Sequence, residues 1–128
     1  KLNPSKIVIM GGTAAVTDAV KTTLTKQFLS ADVSRIAGVD RYDTSAKALA
    51  TTAGAGSGKL VLASGAAFPD ALSGVPVAAH RKAGFALTRA TCLPSSVAGA
   101  LQKSVTEFFL MGGTTVLSDS VAKTVCSS

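Results

Sequence analysis

The sequence predicts an α/β protein: a five-stranded, mostly parallel open sheet with helices on both faces in three layers. Three observations predict it. Short apolar runs alternate with helix-length segments, and parallel strands need such crossovers. The composition is 47% hydrophobic but only 5% aromatic, with 12 glycines, which suits close packing of helices on a sheet. Residues 59–74 show the unit most plainly. Leu60 to Ala63 is too short and apolar for a helix and lies between Gly58 and Gly65; Phe68-Pro69 forces a turn; Asp70 stands at an N-cap or first-turn position, opening the helical run Ala71 to His80. The turn from Ser64 to Asp70 therefore falls at the carboxyl end of a strand, where ligand crevices lie in open α/β sheets.

The other elements follow in order. Ile7 to Met10 is a strand that stops at Gly11-Gly12-Thr13, and Thr17-Asp18 caps a helix through Val20, Leu24 and Phe28. Val33 to Ile36 is the second strand, and Asp40 caps a helix carrying Tyr42, Ala46, Leu49 and Ala53 at helical spacing. The glycine-rich stretch 53–58 reads as a flexible connection into the central strand. Gly84 to Thr88 is the fourth strand, and Leu93-Pro94-Ser95 starts a helix with Val97, Ala98 and Leu101 on its apolar side. Val105 to Met111 is the fifth strand; Gly112-Gly113-Thr114 ends it, and Ser118-Asp119 opens a last helix through Val121 and Val125.

A chain of 128 residues suits one domain, 1–128, with enough core to fold without obligatory staples. No apolar run approaches membrane-spanning length, so membrane insertion is not expected. Thirteen Lys and Arg stand against 7 Asp and Glu, a net charge of +6. Asp18, Asp40, Asp70 and Asp119 each fall at a predicted helix start, where the dipole occupies them, so the surplus of cations favours a polyanionic partner. Nucleic acid is disfavoured, because no basic run exceeds Arg81-Lys82 and one Tyr with no Trp offers no stacking platform. Cys92 and Cys126 lack neighbours at metal-ligand spacing, so no metal or other cofactor is expected. A Cys92–Cys126 disulfide is the expected pairing, with two unpaired thiols the alternative; the bridge would tie down a fraying end and imply an oxidising, extracytoplasmic location. No secretory signal is visible, and the abrupt start at Lys1-Leu2-Asn3 suits a mature or trimmed chain.

The sequence repeats itself. Residues 7–20 align without gaps on residues 108–121, an offset of 101, with Met, Gly, Gly, Thr, Asp and Val coinciding. The chain thus carries one long repeat unit plus the end of a preceding one, and it begins mid-repeat.

The residues that follow the first Gly-Gly element resemble a known family. Arg35-Ile36-Ala37-Gly38-Val39-Asp40-Arg41-Tyr42-Asp43-Thr44-Ser45, then Ser64-Gly65 with Phe68-Pro69-Asp70-Ala71-Leu72-Ser73, then Gly112-Gly113-Thr114 with Ser118 and Val121 are similar, in that order, to the type 2 cell-wall-binding repeat. The resemblance implies a flavodoxin- or Toprim-like sandwich and a non-catalytic, secreted module that holds proteins of Gram-positive bacteria to anionic cell-wall polymers. Members with three tandem copies look like pseudo-threefold assemblies, so a trimer-like homo-oligomer is an expectation too. Two departures stand out: the family's P-I-L-L-T run is here Gly84-Phe85-Ala86-Leu87-Thr88, with only Leu87 and Thr88 kept, and Ser45 replaces the usual Ala, a change expected to matter little.

The expected ligand-binding residues are Arg41, Ser64, Asp70, Thr88, Arg89, Gly112 and Gly113. Arg41 and Arg89 supply cations, Arg89 beside the crevice at the end of the fourth strand. Ser64 and Asp70 offer hydrogen bonds to sugars, or else only shape the turn. The Gly-Gly turns resemble anion-cradling loops at helix starts, yet they lack the nucleotide-binding glycine patterns. For Arg41 the structural alternative is an ion pair with Asp43 or Asp70. A hydrolytic triad of Ser64, Asp70 and His80 is disfavoured, because Ser64 is not in G-x-S-x-G and His80 lies about 15 Å of helix rise beyond Asp70. The other function class is a self-associating or adhesive surface module that binds a protein partner, with the small-residue face Ala71, Gly74, Ala78 against another copy.

Overall fold

In the computed structural model, which describes residues 2–101 and 105–127, the central strand is formed by Lys59–Ser64, whose last five residues are all buried. Such a run is stable only where both faces of the strand are covered. The element order is β1 (Lys6–Met10), α1 (Asp18–Gln27), β2 (Asp32–Ile36), α2 (Arg41–Ala50), a 3₁₀ turn (Ala53–Gly56), β3 (Lys59–Ser64), α3 (Pro69–Arg81), β4 (Gly84–Thr88), α4 (Ser95–Ala100) and β5 (Glu107–Met111). Every strand pair is parallel.

The α/β class, parallel pairing and layered helices are as the sequence predicts. The five strands do not lie in one sheet, however: β4-β3-β5 forms one and β1-β2 a second. The repeat explains the division. β1 and β5 are the same strand of successive units, 101 residues apart; β5 pairs with β3 of its own unit, whereas β1, from the preceding unit, pairs with β2, so the two lie in different sheets.

Alternation along β3 sorts the layers. Leu60 and Leu62 meet Ala46 and Leu49 of α2, Ala86 of β4, and Leu93, Val97 and Val121, which together form the core. Val61 faces the other way, toward Gly74 of α3; a Cβ at Gly74 would stand 2.9 Å from the Phe85 ring and 3.1 Å from Met111. Gly74 and Ala78 are buried, so the small-residue face of α3 is used against its own sheet and is not available to another copy.

Two segments depart from the sequence reading. The glycine-rich connection is not a flexible linker: Ala55 is buried, and a Cβ on Gly54 would lie 2.7 Å from the Gly84 backbone. The last helix does not form. Residues after Ser118 make turns, because Ser118 N–H donates to Ala90 O, Leu93 N–H to Thr124 O and Cys126 N–H to Leu93 O. The Cys92–Cys126 disulfide fixes that path, and Val121 is drawn fully into the core. These tertiary partners outweigh the capping signal at Ser118-Asp119.

Candidate functional site

The expected ligand-binding residues lie at or near the carboxyl ends of β3, β4 and β5 and the start of α2. Two of these residues are internal. Ser64 is buried and its hydroxyl accepts from Ala66 N–H, which shapes the turn; Thr88 is fully buried and its Oγ1 donates to Cys92 O at 3.0 Å. Both therefore spend their hydrogen bonds on the fold.

The segment from Arg35 to Ser45 is a chain of local fits. Arg35 Nη1 donates to Gly11 O at 2.6 Å and Nη2 to Asp18 Oδ1 at 3.2 Å, tying β2 to the Gly-Gly turn of the preceding unit. At Gly38 a Cβ would lie 2.4 Å from Asp43 Oδ2, and its N–H donates to Thr44 Oγ1. Asp40 caps α2 by accepting from Asp43 N–H at 2.8 Å. Asp43 accepts from Val39 N–H and pairs with Lys47 at 3.0 Å; that backbone N–H, and then Lys47, hold its carboxyl below the usual 3.8.

Arg41 pairs with neither Asp43 nor Asp70. Its guanidinium donates to Gly65 O, joining α2 to the β3–α3 turn. Tyr42 packs on Gly65 so tightly that a Cβ there would stand 2.4 Å from Cε1. The guanidinium of exposed Arg89 lies over the same ring, 5.0 Å from its centroid, within cation–π range. Tyr42 and Arg89, with Asp40, Asp43, Ser95, Ser96 and the disulfide, line a cleft of about 630 Å³. Sequence reasoning had placed Arg89 at this rim but missed Tyr42 as its platform; the chain's single Tyr beside the Asp40-Arg41 pair was the available signal.

The remaining candidates lie elsewhere. Gly112 has φ +124°, a conformation that favours glycine, and a Cβ there would meet Asp70 Oδ2 at 2.8 Å, so Asp70, Gly112 and Gly113 form a separate rim at the end of β5. Ser45 has a role that the sequence reading did not give it: its Oγ accepts from Leu87 N–H at 2.8 Å and so satisfies the edge of β4. Arg81 stacks on Phe109 at 4.3 Å. Along the β4 edge, between α2, α3 and the β1 turn, runs an apolar cleft of about 680 Å³ that includes Met10, Phe68, Leu72 and Val75. Among the described residues no group of His, Cys, Asp and Glu could hold a metal ion, and no helix is long and apolar enough to cross a membrane.

The sequence profile described as "Cell wall binding domain 2 (CWB2)" matches residues 35–122, from Arg35 to the residue after the buried Val121. The chain belongs to that family. Cell wall binding domain 2 is also consistent with two relatives. The N-acetylmuramoyl-L-alanine amidase LytC of Bacillus subtilis (strain 168) is 30% identical over 122 residues, covering 94% of this chain and 24% of LytC. The solved structure of Cwp8 from Clostridium difficile superposes with a TM-score of 0.73 at 30% identity, covering 90% of this chain and 20% of that one. The chain thus spans about a quarter or less of the length of these relatives. As a cell wall binding domain 2 member it is a wall-binding module, and a cell-wall or extracytoplasmic setting follows from the family.

Proposed function

We propose that this unit holds a secreted protein non-covalently to an anionic cell-wall polymer, without catalysing a reaction itself. The observation that carries the reading is Arg89 spread over Tyr42 in an open cleft of a cell wall binding domain. The acids beside it are committed elsewhere, Asp43 to Lys47 and Val39 N–H and Asp40 to the α2 cap, so the Arg89 charge faces the cleft. A guanidinium seated on an aromatic ring is pre-organised to take an anionic group while the ring supports the sugar. The net charge of +6 adds general attraction to a polyanion. Arg41, with donors left beyond its bond to Gly65 O, lines the neighbouring apolar cleft and offers the polymer a second cation; Ser64 and Thr88 shape the strand ends from within, and Asp70, Gly112 and Gly113 offer contacts at their separate rim by β5.

The test is co-sedimentation of the pure chain with bacterial walls, before and after chemical removal of their anionic polymers, across a salt series. Binding should vanish with the polymers and fall with salt. Arg89→Glu should weaken it at least tenfold while changing the free energy of unfolding by no more than about 0.5 kcal/mol, as expected of a surface change. Binding that persists on stripped walls, or in the Arg89 variant, would remove the polymer reading or this residue from it.

A second reading, self-association or docking of a protein partner, rests on the apolar cleft. Phe68 just before α3 and Leu72 and Val75 on it are 74%, 66% and 53% exposed, an unusual apolar run along one side of the helix start. Sedimentation equilibrium decides it: a monomer at high micromolar concentration argues against self-association.

A further inference from the structure

Arg89 stands on a loop that the turns after Ser118 hold in place. Residues 89–93 leave β4 without regular structure. Thr88 Oγ1 donates to Cys92 O and Ser118 N–H to Ala90 O; the remaining ties run to residues 124–126, through Leu93 N–H to Thr124 O, Cys126 N–H to Leu93 O and the Cys92–Cys126 disulfide. The bridge is also part of the cleft itself, because Cys92, Cys126 and Ser127 line it together with Tyr42 and Arg89.

What keeps residues 122–127 there is chiefly covalent. Val121 is fully buried, but Thr124, Val125 and Ser127 are exposed, and among the described residues the segment's only hydrogen bonds to residues before 118 are the two with Leu93. Two main-chain bonds do not offset the conformational entropy of ordering the whole segment. Tying Cys126 to Cys92 removes much of that entropy in advance. Both cysteines are half-buried and line an open cleft, so a thiolate can reach the bridge from solvent. Arg89 lines the same cleft, and a guanidinium there favours both the attacking and the leaving thiolate.

We propose that the Cys92–Cys126 disulfide is a redox latch that seats Arg89 on Tyr42 and completes the cleft, and that a dithiol opens it. In the opening step a thiolate of the dithiol attacks one bridge sulfur, the S–S bond breaks, and the other cysteine leaves as a thiolate that takes up a proton. The dithiol's second thiol then displaces the first cysteine, so the dithiol ends as a cyclic disulfide and the chain as two thiols, two electrons having passed to the bridge. Residues 122–127 then leave, the cleft loses Cys126 and Ser127 from its lining, and the Arg89 loop keeps only Thr88 and Ser118 as anchors. The sheet β4-β3-β5 persists, because the buried Val121 lies before the released segment. Binding at the cleft is thereby confined to an oxidising setting. The effect on the polymer rests on the wall-binding reading above; the seating of Arg89 does not.

NMR reads the seating directly, because Arg89 lies over the ring of the chain's single Tyr and protons above an aromatic face are shielded. In the oxidised chain the Arg89 side-chain protons should resonate upfield of their positions in a Tyr42→Leu chain. Dithiothreitol should abolish at least half of that displacement while the β3 amide signals stay in place, and it should weaken co-sedimentation with bacterial walls at least tenfold. Joining the two reduced sulfurs through a methylene group, a link that dithiothreitol does not cut, should restore the shift and the binding to within twofold. Arg89 protons unmoved by reduction, walls held as tightly by the reduced chain, β3 signals lost along with the bridge, or no recovery in the methylene-linked chain each overturn the inference. An oxidised chain that binds no walls overturns the polymer reading alone, and the Arg89 shift still decides the latch.

Discussion

Replacing Gly65 with alanine tests whether the family motif around Arg41 and Tyr42 is chiefly architecture. The new Cβ would lie 2.4 Å from Tyr42 Cε1, 2.9 Å from Cζ and 3.1 Å from the hydroxyl oxygen, so ring or turn must give by about 1 Å to reach ordinary contact. The ring has little room, because Arg89 covers it and its helix is tied to the same turn through Arg41 and Gly65 O. Overpacking of this kind costs about 1–3 kcal/mol, or about 4–12 °C in a chain of this size. Urea and thermal unfolding followed by circular dichroism measure it. The control is Tyr42→Ala: with the ring gone, Gly65→Ala should turn neutral or stabilising by up to about 1 kcal/mol, because alanine restricts the unfolded chain. Coupling between the two sites should then be about 1–3 kcal/mol. A Gly65→Ala chain as stable as its parent, or equally destabilised without Tyr42, would refute the close fit. Well below its melting point the variant should still bind walls within a few-fold, since Arg89 keeps its charge.

Three further outcomes are expected. Replacing Cys92 and Cys126 with serine opens a loop with a sequence separation of 34 and should lower stability by about 3.8 kcal/mol on the chain-entropy estimate, read from the urea midpoint; a loss below about 1 kcal/mol would mean that the turns after Ser118 hold without it. Ser45→Ala, a return to the usual family residue, should cost about 1 kcal/mol by leaving Leu87 N–H without its acceptor, and amide exchange at Leu87 should quicken while that at Ala63 does not. Asp43 has a folded pKa below its ordinary 3.8, so its contribution is present at neutral pH and is lost as pH falls through the folded value; Asp43→Asn should flatten that acid limb of the stability profile.

Each strand, and every helix but the last, was legible because apolar runs, prolines and capping acids sit next to one another in the chain. The fourth strand was read to the residue, and β3 within one residue at either end. The site was legible in outline from Arg89 and the Ser64–Asp70 turn. Its details were not, since Ser64, Thr88 and Arg41 are polar residues whose partners are the Ala66 N–H, the Cys92 carbonyl and the Gly65 carbonyl. A motif records which residue types recur; it does not say whether a hydrogen bond is spent inward or offered outward.

By itself the sequence determined the α/β class, the parallel pattern, the 101-residue repeat and the family resemblance, all of which rest on local spacing and residue identity. Only the tertiary structure decided how the strands divide between two sheets, that Ser118-Asp119 opens no helix, and that Tyr42 carries Arg89. Those outcomes depend on contacts between residues far apart in the chain, such as Leu93 with Thr124 and Cys126, where the free energy of tertiary partners exceeds that of a local cap.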